Sequence, residues 1–202
     1  MTVDPRAPGA DRLTSCIGAW RLAGFGHGLD QAALESLRQM ILAGGARQLT
    51  VGDLCEAELA GLAWSGNPAH LLSVAAALQR AAQGLEDYLA VRAPGGQAVA
   101  KMRVDYTSEA DSGVLSQLAV MGPLQGLGIA TMLIGVGEQR VRARGLAFAA
   151  LGVEDSNPRA RRLYERLGYQ AAGRQHAAWE YEDDDGVLRL YETTLTILRK
   201  RL

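Results

Sequence analysis

The sequence predicts a mixed α/β domain, and three observations predict it. Val114 to Val120 is a mostly apolar, strand-like run that breaks at Gly122-Pro123, and an apolar helical stripe follows from Leu127 to Arg144. Leu146 to Val153 is then a further apolar, alanine-rich strand, so that helix and strand form a crossover and the two strands should pair in parallel. Upstream, Leu85 to Arg92 and Gln97 to Tyr106 are two strands joined by Ala93-Pro94-Gly95-Gly96, a hairpin turn in composition. A chain of 202 residues fits one domain and is long enough to bury a core without disulfides or metal.

Taken in order, Met1 to about Gly28 lacks sustained periodicity and reads as a flexible or loosely packed extension. Its Ile17, Trp20, Leu22 and Phe25 would dock on the domain or on a second subunit, which leaves a homodimer open. Asp30 caps a helix over Gln31 to Ala43, amphipathic through Ala33, Leu34, Leu37 and Ile41 and stopped at Gly44-Gly45. Residues 1–45 are thus expected as an N-terminal extension and 46–202 as the main domain. Arg47 to Val51 is a short strand, and Asp53 is expected to cap a helix running through Leu62. Gly66-Asn67-Pro68 breaks the chain before a helix from Ala69 to Gln83 that ends at Gly84. Ser108 to Gly113 is a polar turn into the Val114 strand. In the Leu127 helix, Ile129, Leu133, Ile134 and Val141 form the inner stripe, with Glu138 and Arg142 expected as an i,i+4 pair on the outer side. Asn157 caps the next helix, Pro158 takes its first position and Gly168 ends it. Ala178 to Glu182 and Val187 to Leu198 read as a hairpin around Asp183-Asp184-Asp185-Gly186.

Composition removes several function classes. At 48% hydrophobic and 21% charged with a formal net charge of −1, there is no bulk electrostatic case for nucleic acid or an anionic membrane. No apolar run reaches the roughly eighteen residues of a membrane-spanning helix, and the residues before Cys16 are too polar for a lipoprotein leader. Cys16 and Cys55 are too few for a disulfide framework, and His27, His70 and His176 stand too far apart for zinc spacing. A reducing, metal-free, cytoplasmic protein is the expectation.

The stretch Pro123-Leu124-Gln125-Gly126-Leu127-Gly128-Ile129-Ala130 carries the chemistry. Gly126 and Gly128 let the chain turn sharply and let a ligand approach the backbone, beside the unpaired N–H groups of a helix start. Strand, glycine loop and helix in this order suit a phosphate, and a plain glycine-rich connection into a packed helix accounts for the eight residues equally well. A Walker loop is excluded because no Gly-Lys pair follows, and a dinucleotide fingerprint because Thr131 stands at its third glycine.

Gln125-x-x-Gly128-x-Ala130 resembles the pyrophosphate loop of the GNAT superfamily of acyl-CoA-dependent N-acyltransferases. Gly152 to Tyr169, with Asn157, Tyr164 and Gly168-Tyr169, resembles that family's second coenzyme A segment, and the likeness extends over about Gln48 to Leu202. The resemblance implies a mainly antiparallel sheet of six to seven strands flanked by helices, and an N-acetyltransferase that moves an acetyl group from acetyl-CoA to a primary amine by direct attack, without metal. It implies that the backbone of Leu118, Ala119 and Val120 meets the pantetheine arm and thioester where that strand splays from Leu146 to Val153. Gln125, Gly126, Leu127, Gly128, Ile129 and Ala130 would hold the pyrophosphate, Asn157 would touch the pantetheine or the strand end, and Tyr164 would stand near the sulfur as the acid. The helices around Trp64, Asn67 and His70 would frame the acceptor.

The residues themselves keep alternatives open. Ala160, Leu163, Tyr164 and Leu167 form one apolar stripe, which describes a core tyrosine, and N-capping alone explains Asn157. Trp64 also reads as core and His70 as a turn cap. Many family members carry a glutamate at the position of Val114, and valine takes no proton. Glu154 is the first substitute for the general base, with Asp105, Glu109 and Asp111, or a water chain, as the others. Trp179, Tyr181 and Tyr191 would shape an acceptor pocket or simply pack. A non-catalytic acyl-CoA-binding regulatory or interaction module is the rival function, and an unrelated nucleotide-binding fold is a third. The acceptor, a small-molecule or peptide amine, is not specified by any motif.

Overall fold

A computed structural model describes residues 29–44, 48–182 and 188–202. The expectations for Met1 to Gly28, and for the turn at Asp183 to Gly186, lie outside them. Helix α1 (Gln31–Gly44) starts where the Asp30 carboxylate accepts from the Ala33 amide at 2.7 Å, and it buries Leu34, Leu37 and Ile41. Strand β1 (Thr50–Asp53) leads into a 3-10 helix (Glu56–Ser65), and helix α2 (Pro68–Ala82) follows behind an Asn67 cap that accepts from His70 N at 2.9 Å. The strands β2 (Glu86–Arg92), β3 (Ala98–Glu109) and β4 (Ser112–Val120) form the meander. Helix α3 (Ile129–Ala143) crosses to β5 (Phe148–Glu154), and α4 (Pro158–Arg166) precedes the hairpin of β6 (Gln170–Glu182) and β7 (Leu188–Arg201).

These strands make one seven-stranded sheet in the order β1-β2-β3-β4-β5-β7-β6. Every pairing is antiparallel except β4 with β5, which is parallel as the crossover requires. One face packs against α1, α3 and α4 through residues such as Met102, Leu115, Leu133, Ile134, Leu151 and Leu198. The other packs Tyr88, Ala90 and Ala98 against Leu62, Val74 and Leu78 of the 3-10 helix and α2. Each leucine removed fully from water here contributes about 1.5 to 3 kcal/mol, so the two layers hold the sheet from both sides.

Three details differ from the sequence expectation. Asp53 caps no helix: Leu54 N donates to Tyr88 O at 2.7 Å, which prolongs strand pairing past β1, and a 3-10 turn starts behind Cys55, whose amide donates to Glu58. Glu138 does lie 3.8 Å from Arg142, the expected i,i+4 partner, but it is not on the outer side of α3. It is 6% exposed, and both carboxylate oxygens accept from Lys200 on β7, at 2.9 and 2.8 Å. Finally, β6 begins at Gln170 rather than Ala178, because β7 pairs with it from Leu188 to Arg199.

Candidate active site

The parallel pairing is short. Ser112, Gly113 and Val114 pair with Phe148, Ala149 and Ala150, yet β4 runs on to Val120 and β5 to Glu154. Beyond Val114 the two strands therefore diverge, and the β4 backbone has no strand beside it on that side. Its other side stays bonded to β3, with one extra residue: Arg103 opposes Ser116 and Lys101 opposes Ala119. The bulge puts Gln117 at φ +52, the left-handed region that a non-glycine residue enters at a cost of about 1 to 2 kcal/mol.

Buried polar bonds hold that conformation. Tyr88 Oη donates to Gln117 Oε1 at 2.6 Å, Gln117 Nε2 donates to Ser73 Oγ at 3.3 Å, and Lys101 Nζ donates to Tyr88 Oη at 3.1 Å. Lys101, which is 0% exposed, also reaches His70 Nε2 at 2.8 Å. Burial, and then the Lys101 charge, lower the His70 pKa to about 4, so the ring is neutral near pH 7 and accepts from the ammonium.

A cavity opens in the divergence, lined among others by Ser116, Gln117 and Leu118 of β4, Gly152 and Val153 of β5, Leu195 of β7, and Asn157 and Tyr164 of α4. Tyr164 is 7% exposed, and burial pushes its pKa up to about 12, which keeps the phenol protonated across the physiological range. Asn157 Oδ1 accepts from the Ala160 amide at 3.0 Å, so it caps α4 and lines the cavity at once.

Past Val120, the Gln125 side chain donates through Nε2 to Val120 O at 3.2 Å and ties the loop to the end of β4. Gly126 and Gly128 have φ of +84 and +83, and Gly128 is the cap of α3. Leu124 and Ile129, at 0% and 1% exposure, anchor the loop on the core. From the other side, Arg38 of α1 donates to Pro123 O at 2.7 Å. A Cβ added at Gly128 would meet no atom within 4 Å, so open space lies before the helix start. A diphosphate fits such a place, and the unpaired β4 edge leading to it fits an extended amide-bearing arm.

The structure thus brings Leu118, Asn157 and Tyr164 to one cavity, with Ala119, Val120 and the loop Gln125 to Ala130 continuing from its rim. Glu154 does not line the cavity, although Gly152 on its own face and Leu195, its register partner on β7, do. Leu151 and Val153 share a cluster with Ala160 and Tyr164, so by strand alternation Gly152 and Glu154 face the opposite side of the sheet. There the Glu154 carboxylate accepts from Ser156 Oγ at 3.0 Å and Tyr191 Oη at 3.2 Å, and the Tyr191 ring lies 4.7 Å from that of Trp179.

The other acids are differently occupied. Asp105 is buried and pairs with Val114 where β4 and β5 are still joined; burial raises its pKa, but bonds from Thr107, Ser108 and Arg103 outweigh this and lower it. The Ser112 hydroxyl, then Arg199, lowers the Asp111 pKa at the turn before β4, where Glu109 also lies 3.9 Å from Arg199. Val114 is itself buried. Trp64 is half-buried and packs on both cores. Sequence reasoning misses Gln117, Tyr88 and Lys101, because nothing in a strand pattern marks which residue will bulge. Among the described residues, no group of His, Cys, Asp or Glu is arranged for a metal, and no helix is long and apolar enough to cross a membrane.

A sheet that parts beside a glycine loop and a helix start offers a site to a ligand with an extended arm and a diphosphate. The chain matches the family model described as Acetyltransferase (GNAT) family over residues 64–169, and it belongs to that family of acyl-CoA-dependent acetyltransferases. Among solved structures it is similar to the ribosomal-protein-S18-alanine N-acetyltransferase of Escherichia coli, at 20% identity and a TM-score of 0.57 over 76% of this chain and 93% of that one. The ribosomal-protein-alanine N-acetyltransferase of Brucella melitensis gives 18% and 0.58, over 76% and 99%. The PaiA N-acetyltransferase of Thermoplasma acidophilum, in complex with coenzyme A, gives 13% and 0.54, over 76% and 99%. At these identities the likeness is one of fold. No curated protein matches the chain.

Proposed function

We propose that the chain transfers an acetyl group from acetyl-CoA to a primary amine by direct attack. One observation carries this reading: β4 and β5 part after Val114 over the Tyr164 phenol, with the left-handed glycines Gly126 and Gly128 at the far end of the exposed β4 edge. In this reading Leu118 to Val120 offer backbone groups to the pantetheine arm and Gln125 to Ala130 hold the diphosphate at the start of α3. Acetyl-CoA supplies the thioester; the amine nitrogen forms the new C–N bond as the C–S bond breaks.

Tyr164 and Glu154 then work from opposite faces. A phenol near 12 is a weaker acid than a thiol near about 8.5, so Tyr164 donates a hydrogen bond to the leaving sulfur and the thiolate takes its proton from solvent. Glu154, held by Ser156 and Tyr191, receives a proton from the amine, directly or through water. Such an amine, near about 10.4 in water, arrives mostly protonated at pH 7 and needs that acceptor. A reducing, cytoplasmic setting belongs to this proposal, since two cysteines in 202 residues are too few for a disulfide framework.

Val114, buried where many relatives place a carboxylate, favours a second reading, in which the chain holds acyl-CoA without turnover. Release of free thiol from acetyl-CoA with a panel of amines separates the two. Release with any amine supports the transferase, and thermal stabilisation by acetyl-CoA with no release under any amine overturns it.

A further inference from the structure

Arg159 is the second residue of α4, directly after Pro158, and its side chain is exposed. A Cβ built on Gly126 would lie 3.6 Å from one guanidinium nitrogen of Arg159. The guanidinium of α4 therefore hangs over the left-handed glycine of the loop that opens α3. The charge is uncommitted: Arg161 pairs with Glu165 at 2.9 Å, whereas no carboxylate among the described residues pairs with Arg159. The loop is thus flanked by two positive groups from separate elements, the start of α3 beneath it and Arg159 beside it.

We infer that Arg159 is a donor-binding residue whose guanidinium takes a phosphate of the acyl-CoA, closing the loop from the α4 side. A planar fork of N–H donors suits a phosphate, and glycine at 126 leaves the space between fork and loop unfilled. The inference rests on the reading of Gln125 to Ala130 as the diphosphate site. It also gives α4 two contacts with one ligand, Tyr164 at the thioester end and Arg159 at the phosphate end, five residues apart along the helix. Coenzyme A carries this chemistry twice, in its diphosphate and in its 3′-phosphate.

Calorimetry on the full chain with coenzyme A, dephospho-coenzyme A and pantetheine tests this without any acceptor. Arg159→Ala should weaken coenzyme A binding about ten- to a hundred-fold while leaving the melting temperature and the affinity for pantetheine unchanged. Arg159→Lys should recover part of the loss. If the penalty persists with dephospho-coenzyme A, Arg159 takes the diphosphate; if it disappears, Arg159 takes the 3′-phosphate. Unchanged coenzyme A affinity, or an equal loss with pantetheine, overturns the inference. Gly128→Glu serves as the control: if it abolishes binding while Arg159→Ala has no effect, only the role of Arg159 fails, and if it binds as tightly as the parent, the loop reading fails with it.

Discussion

Tyr88 and Gln117, on β2 and β4, meet in a 2.6 Å hydrogen bond across the intervening strand, at the one non-glycine described residue with positive φ. Both are buried, so the bond substitutes for water on each side. Tyr88→Phe should cost about 1 to 3 kcal/mol, because Gln117 Oε1 loses its donor inside the protein. Denaturant unfolding measures it, and a change below about 0.3 kcal/mol would show that the bond contributes nothing net.

The same position separates side-chain bonding from backbone strain. Gln117→Ala and Gln117→Gly lose the same hydrogen bonds, but only alanine keeps the left-handed penalty. Glycine should therefore be the more stable of the two by about 1 kcal/mol. The reverse order would mean that the bulge relaxes once the side chain is gone.

Gly113 lies where β4 and β5 are still joined, under α3. A Cβ there would come within 2.2 Å of Val141 Cγ2 and 3.2 Å of Val141 Cβ, on a branched helical side chain that cannot swing away. Gly113→Ala should cost about 1 to 3 kcal/mol by overpacking, and Val141→Ala in the same chain should recover part of it. Additive losses in the double variant would place the strain elsewhere.

Tyr164→Phe should lower kcat about ten- to a hundred-fold while leaving acetyl-CoA affinity within about two-fold, since a hydrogen bond to a developing charge is worth about 1.5 to 3 kcal/mol. An unchanged rate would return Tyr164 to a packing role. Its stability effect has a definite sign. The folded pKa, about 12, lies above the unfolded value of about 10, so the contribution is whole below pH 10 and fades as pH rises toward 12. The phenylalanine variant should lose less stability over that alkaline window.

His70 titrates with the opposite sense. Its folded pKa, about 4, lies below the unfolded 6.5, so between these values the unfolded chain binds the extra proton and stability falls with falling pH. His70→Gln should flatten the stability curve between pH 6.5 and 4. A parallel pair of curves would show that other groups govern acid unfolding.

Local spacing made much of this legible. Caps at Asp30 and Asn157, the turn before Gln97, and the apolar runs of β4 and β5 with the stripe of α3 between them all act over a few residues, and the same is true of Gly126 and Gly128. What escapes is what distant elements decide together. Glu138 reads as a surface residue until Lys200, 62 positions away, arrives beside it. The 3-10 turn at Glu56 depends on Leu54 pairing with β2, and the Gln117 bulge depends on Tyr88, Lys101 and Ser73 from three other elements. In the site, the loop and the α4 segment can be read in one dimension. The face on which Glu154 stands follows only from the register of β5 with its neighbours.

Only three rungs join β4 to β5, so the sheet is two half-sheets seamed along a short line, with α3 strapped across the gap. A ligand lying along the free edge of β4 would act as the missing length of seam. Occupancy of the site and the mechanical continuity of the molecule are then one variable: the amides between Leu115 and Val120 that point away from β3 should exchange with solvent while the seam is open and slow when it is closed, and the resistance of the whole sheet to unfolding should rise with donor concentration.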